Sequence, residues 1–339
     1  MTADRTSGPA RPRIRVAGGL LLGALAGVVV GLAIAGAGES PGGPGLPALV
    51  AQPLVRVLLD LSATAVVGLS LLPRLLGSAR PSATEPVLRL ARPASVVLSA
   101  VWALAALLSI VLRAHETRPD VPLTSDRVLD YVQRVPAGQG LLFSAVCAVV
   151  CLGIGAVAVR GGESVPAELR VLVALFGLLP LPATGHASNR DFRDVAVVAM
   201  ELHVLGAALW TGGLVALIAL VAHRRGLLAE ALPRFSALAT AALLVVTATG
   251  VGTGLLELAA APGGGLPGSL VTTPYGLLLV GKALCALALA ALGARIRWWL
   301  LPHVARHRPT ALVGWAAAEL AVMGAAFGLA VVLSRAPVA

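Results

Sequence analysis

The chain has 339 residues, 58% of them hydrophobic and only 12% charged, with a mean hydropathy of +0.90. A soluble domain cannot be covered with so little polar surface, so the composition points to a protein solvated by a lipid bilayer. The net charge of +10 is then read as arginines flanking membrane spans, and a nucleic-acid partner is excluded.

Nine apolar segments follow in order, at about 16–37, 50–73, 93–112, 139–159, 168–185, 195–222, 235–259, 275–300 and 311–333. Their Leu/Ala/Val runs lack the alternating polar pattern of a barrel strand, so the expected fold is all-α, a polytopic transmembrane helical bundle of about nine spans. The first segment follows an Arg-rich leader (Arg5, Arg11, Arg13, Arg15) and is longer than a signal-peptide core, which reads as an uncleaved anchor. Two halves are expected: residues 1–166, with about four helices, and residues 167–339, with about five.

The arginines set the orientation. With the N-terminus inside, the inner segments hold 17 arginines and the outer ones seven. The excess favours N-terminus in and C-terminus out, and it makes 113–138 the longest external loop. The Gly/Pro-rich stretches GESPGGPGLP and APGGGLPGSLVTTP read as external turns.

Segment six, VAVVAMELHVLGAALWTGGLVALIALVA, departs most from a lipid-facing helix. It carries Met200, Glu201 and His203 in its outer third, and ionisable groups at such depth cost about 2.5–3.5 kcal/mol each on insertion scales. His186, in LPATGHASNR, ends segment five at the same face, where Pro180 and Pro182 are expected to break the helix. Arg56 and Asp60 are spaced i,i+4 in the outer half of segment two. Glu257 ends segment seven, and Lys282, the chain's one lysine, lies about 10 Å into segment eight. These groups share a depth, which scattered accidents would not.

His186 and His203 come from consecutive antiparallel segments, and Met200 is i,i+3 from His203. Two imidazoles and a thioether suit copper better than a hard cation; the plain alternative is a pair of packing histidines bonded to Glu201, Ser188 or a carbonyl. Glu201 or Asp60 would orient the imidazoles and supply negative charge. Lys282 is read as a partner of Glu257 or Asp60, or as a charge tuning the cavity. Cys147, Cys151 and Cys285 are buried hydrophobes or a soft relay passing Cu(I) inward. No hydrolase elbow, zincin pair or phosphate loop occurs, so no conventional enzyme is expected.

ATGHA, ELHVLGAALWTGGLVAL, RFSALATAALLVVTATGVGTGLLEL, TPYGLLLVGKALCALALAALGARIRWWLLP and AELAVMGAAFGLAVVLS occur in that order. Together they resemble the membrane domain of the copper resistance D (CopD) family over about residues 180–335. The first half matches only as generic membrane helices. The resemblance implies a multi-pass protein of a bacterial inner membrane that moves copper ion toward the cytoplasm, working with a soluble CopC-type copper-binding partner. By position it points to His186, His203, Trp210, Lys282 and the Tyr275-Gly276 turn, with copper contact a role for the two histidines. Two other classes stay open. A haem-binding redox subunit of the b561 type would clamp haem between His186 and His203, and an assembly factor would tolerate their loss.

Overall fold

A computed structural model of the chain describes residues 10–36, 46–119, 121–180, 193–260, 267–300 and 312–336. Among these the secondary structure is helical: α1 (Ala10–Ile34), α2 (Leu46–Leu76), α3 (Pro81–Glu116), α4 (Ser125–Arg134), α5 (Pro136–Gly161), α6 (Ala167–Phe176), α7 (Arg193–Val221), α8 (Arg225–Ala260), α9 (Ser269–Thr272), α10 (Pro274–Arg295) and α11 (Leu312–Leu333). A π-helical turn, Ile296–Leu300, continues α10. Eight of the described helices are long and apolar enough to cross a membrane: α1, α2, α3, α5, α7, α8, α10 and α11. The chain is a polytopic helical bundle.

Four elements differ from the hydropathy pattern. Helices α3 and α8 each run for 36 residues, about 54 Å at 1.5 Å per residue, against a hydrocarbon core of about 30 Å. Their polar first turns therefore stand clear of the apolar layer. There Arg92 binds Glu85 from Nη1 and Nη2 at 2.7 and 3.0 Å. Segment five keeps its helix only to Phe176, capped at Gly177 before the expected break at Pro180; Pro182 and His186 lie outside the described residues. The 113–138 loop contains a helix, α4, whose polar composition had read as coil. Thr124 caps it by accepting from Arg127 N at 3.4 Å, and the Arg127 guanidinium donates to the carbonyls of Val121, Pro122, Ala114 and Arg118. Here a single arginine replaces the missing backbone ladder of the connection.

Glycines bring two helix pairs into backbone contact. Along α1 and α11, Gly19, Gly23 and Gly27 lie against Ala317, Ala321 and Ala325, so the two helices run parallel. A Cβ on Gly23 would come 2.0 Å from the Ala321 carbonyl oxygen. Gly68 of α2 and Gly212 of α7 meet in the same way, with a Cβ on either falling about 2 Å from the other helix's backbone oxygen (1.9 and 2.1 Å).

The contacts also fix which ends lie together. Arg234, near the start of α8, donates to the Leu75 carbonyl at 2.8 Å, and Arg224 donates to Ala83 O at 3.3 Å. Arg92 of α3 bonds Glu163, just past α5, at 3.3 Å. The ends of α2, α5 and α7 and the starts of α3 and α8 therefore share one face, the face that carries the arginine excess and is called inner below. Because α5 ends there and α7 begins on the opposite face, the chain crosses the bundle between them. Helix α6 and the turn after it make most of that passage: Arg170 pairs with Glu163 at the inner end, and Pro180 touches Gly140 near the outer start of α5.

Candidate functional site

The outer half of the bundle holds one set of buried and half-buried polar groups, while Arg92 and Glu319 are buried in the inner half. On α2, Arg56 Nε donates to both Asp60 oxygens at 3.0 Å, the i,i+4 pair its spacing predicts. Arg113 of α3 lies within electrostatic range of Asp60 and bonds Tyr131 of α4. Burial pushes the Tyr131 hydroxyl above its usual range, against the opposing pull of Arg113. Arg335, just past α11, closes this corner on Glu116 at 3.1 Å.

His203 sits about 15 Å from the start of α7, facing α8. Its Nδ1 lies 2.9 Å from the Val246 carbonyl oxygen and 3.3 Å from Thr249 Oγ1. A carbonyl only accepts, so Nδ1 carries the proton and donates; in the neutral ring that leaves the Nε2 lone pair free. Gly250 makes room for the ring, since a Cβ there would stand 2.8 Å from His203 Cε1. The ring is thus oriented by the α8 backbone and a hydroxyl, whereas Glu201 and Asp60 were the expected orienting groups. Glu201 is two positions, or about 200°, round the helix from His203, and Asp60 is engaged by Arg56.

The remaining predicted groups are arranged as follows. Met200 shares the His203 face by its i,i+3 spacing and is half-buried. Lys282, about 12 Å into α10, lies within electrostatic range of His203 and of Cys285, one turn along its own helix. Among the described residues it forms no ion pair with Glu257 or Asp60. Glu257 instead lies at the outer rim near Tyr275, the second residue of α10. Cys147 and Cys151 belong to α5, which packs on α3, α4 and α6, while Cys285 belongs to α10, which packs chiefly on α11. The cysteine pair and Cys285 are therefore on different sides of the bundle, and the three do not form one path. His186 lies outside the described residues. Among those that are described, no three His, Cys, Asp or Glu side chains converge as a metal-binding group.

The sequence reading missed two features. Gln52 is 3% exposed, one turn before Arg56 on the same face, and among the described residues neither its amide nitrogen nor its oxygen has a hydrogen-bond partner. At the inner end, a cavity is lined by Arg92, Glu163, Arg170, Ser70, Ser95 and Cys151, with Arg92 shared between Glu85 and Glu163. Its arginines had registered only as topogenic charge.

Two family models match the chain. The copper resistance protein D model covers residues 229–333, and the copper resistance protein D-like N-terminal domain covers residues 47–191. The chain belongs to the CopD family. It is a copper-resistance-related, multi-pass membrane protein, and its first half is more than generic membrane helix. His186 lies within the N-terminal match, whereas Met200, Glu201 and His203 lie between the two matches. No curated protein and no solved structure matches the chain. The b561 alternative gains no support. Its pair was His186 with His203, and His186 lies outside the described residues.

Proposed function

We propose that this CopD-family protein carries copper across the cytoplasmic membrane of a bacterium, N-terminus in and C-terminus out, over nine passages of the chain. Copper is taken up at the outer face by His203 through Nε2, with His186 and Met200 as further ligands, and a soluble CopC-type protein delivers it. The protein acts as a permease and catalyses no bond chemistry.

The observation that carries this reading is the His203 ring. Its Nδ1–H is committed to the Val246 carbonyl, the arrangement by which ligating histidines are commonly held with the other nitrogen available. An imidazole and a thioether are donors copper accepts, and soft sulfur favours Cu(I). The 17 to seven arginine split supports the orientation. Lys282 then sets a positive charge beside the imidazole, so a cation held at Nε2 is opposed and can be released.

The test is copper accumulation in cells expressing the chain, compared with His203→Ala and His186→Ala at matched membrane protein levels. Wild-type cells are expected to accumulate copper above vector controls, and each variant to lose most of that excess. Undiminished uptake in both variants removes the histidines from the mechanism.

A further inference from the structure

About 10 Å from the inner end of α11 lies Glu319, only 4% exposed. Its position in the packed interior has no counterpart in the outer polar belt. The group facing its carboxyl is the indole of Trp210 on α7, itself 4% exposed, whose N–H closes no hydrogen bond of regular geometry. Met323, one turn further along the Glu319 face and 2% exposed, adds a thioether. Trp210 is two turns inward of His203 on nearly the same face of α7, so the three groups lie deeper on the line that starts at the imidazole.

Helix α11 packs against α1, α2, α7 and α10. Among the described residues the other ionisable side chains of these helices lie elsewhere along them: Arg15 on α1; Arg56, Asp60 and Arg74 on α2, with Arg74 paired to Glu168; Asp194, Glu201 and His203 on α7; and Tyr275, Lys282 and Cys285 on α10. Arg295, at the end of α10, is stacked on Trp315 with its guanidinium carbon 5.2 Å from the ring centroid. None of them forms an ion pair with Glu319. An ionised carboxylate enclosed in this way, with no facing cation among the described residues, bears its full desolvation cost. Either a proton on the oxygen or a metal cation beside it removes that cost, so the two compete for one place.

We propose that Glu319 and Met323, beside Trp210, form an inner resting position for Cu(I), and that copper arriving there displaces a proton from Glu319. The inference rests on the copper-transport reading and adds to it a second position and an exchange of cations. The O–H bond of the carboxylic acid breaks, the proton leaves to water, and Cu(I) is held by the carboxylate oxygen and the thioether sulfur. Charge balances one for one, and neither copper nor protein changes oxidation state. Hard and soft donors on one helical turn make a weak, transient site, as passage requires.

The experiment is an infrared difference spectrum of the purified full chain in detergent, under reducing conditions, before and after Cu(I) is added from a soluble chelator. Bound copper is quantified in parallel. Wild type is expected to lose a protonated-carboxyl C=O band and release a proton as copper binds. Glu319→Gln should lack that band change while still binding copper at His203, and Glu319→Asp should restore it. Trp210→Phe, which keeps the bulk but removes the N–H, should shift the band without abolishing the response; it carries the test if Glu319→Gln does not fold. Copper binding that leaves every carboxyl band unchanged overturns this inference and spares the transport reading. A wild-type chain that binds no copper overturns both.

Discussion

Two regions of the bundle are built on different terms. Of the apolar span of α7, 67% is buried within the protein, and in α2 and α11 the figures are 56% and 50%. In α8 and α10 it is 11% each. The first group is held by backbone-to-backbone approach at glycines, which tolerates no added atom. The second leaves most of its apolar span to lipid, although the inner turns of α8, from Leu227 to Phe235, are buried in the core. The Val246 carbonyl, Thr249, Gly250, Lys282 and Cys285 all belong to the second group, and His203 lies at its junction with the first. The first group supplies the helix that carries the imidazole, and the more lipid-exposed helices supply its neighbours.

The largest way to break this contrast is at the scaffold. A side chain at Gly212 would meet the Thr64 carbonyl oxygen at 2.1 Å, and backbone cannot step aside as a rotamer does. Gly212→Val is expected to cost about 3 kcal/mol or more, at the upper end for overpacking, and to show as a lost or strongly lowered thermal transition in detergent. Gly252→Ala on α8, where a Cβ meets nothing within 4 Å, should stay within about 0.5 kcal/mol of wild type. Equal effects at the two sites would remove the distinction between the regions.

Next in size is the α2 ion pair. Removing one member leaves a charge in the outer half of the bundle with its partner gone, so Asp60→Ala should destabilise by about 3 kcal/mol. The double change Arg56→Met with Asp60→Leu should recover most of that loss, since two apolar side chains of similar size need no counter-charge. Thermal unfolding of the single and double variants checks both expectations.

How much of this the sequence made legible depends on whether a feature is local. The Arg56–Asp60 pair is an i,i+4 spacing on one helix, and the Gly212-Gly213 step is a run of residues with no side chain, so both could be read directly. The His203 ring could be singled out by its depth, but its orienting partner could not. A backbone carbonyl has no signature in the chain, and Val246 is 43 residues away. Helix α4 was hidden because its polar residues outweigh its apolar ones, although Val128, Tyr131 and Val132 make an amphipathic stripe, and because its arginine works on carbonyls, which pattern does not encode. The polar first turns of α3 looked like a loop because hydropathy sees the membrane and not the helix that continues beyond it. Lys282 was read as a partner of Glu257 or Asp60 or as a charge tuning the cavity, and the structure sets it near an imidazole and a thiol. Glu319 lies in an apolar run of the sequence, but only packing brings Trp210 to it.

Smaller effects separate the imidazole's position from its presence. Gly250→Ala places a methyl 2.8 Å from His203 Cε1, and the atom that must yield is the end of a side chain, so the fold should survive while the ring turns. Copper affinity is expected to fall about tenfold, the lower range for disturbing a ligand's support, with the thermal transition nearly unchanged. Titration with a competing Cu(I) chelator reads it. A fall in affinity matched by a fall in stability would assign the glycine to the scaffold.

Thr249→Val should give the smallest change and the sharpest distinction. The Thr249 hydroxyl donates to its own helix at Val245 O, 2.6 Å away, and stands 3.3 Å from His203 Nδ1. Its contribution to the ring is therefore the weaker of two, the 2.9 Å bond to the Val246 carbonyl being the stronger. Losing a secondary contact of this kind costs about 0.5–1 kcal/mol, a factor of roughly two to five in affinity. Valine keeps the volume and the α8 helix, so stability should hold. If copper affinity instead fell as far as in His203→Ala, the hydroxyl would have to be the main orienting group, and the backbone carbonyl could not be what fixes the tautomer.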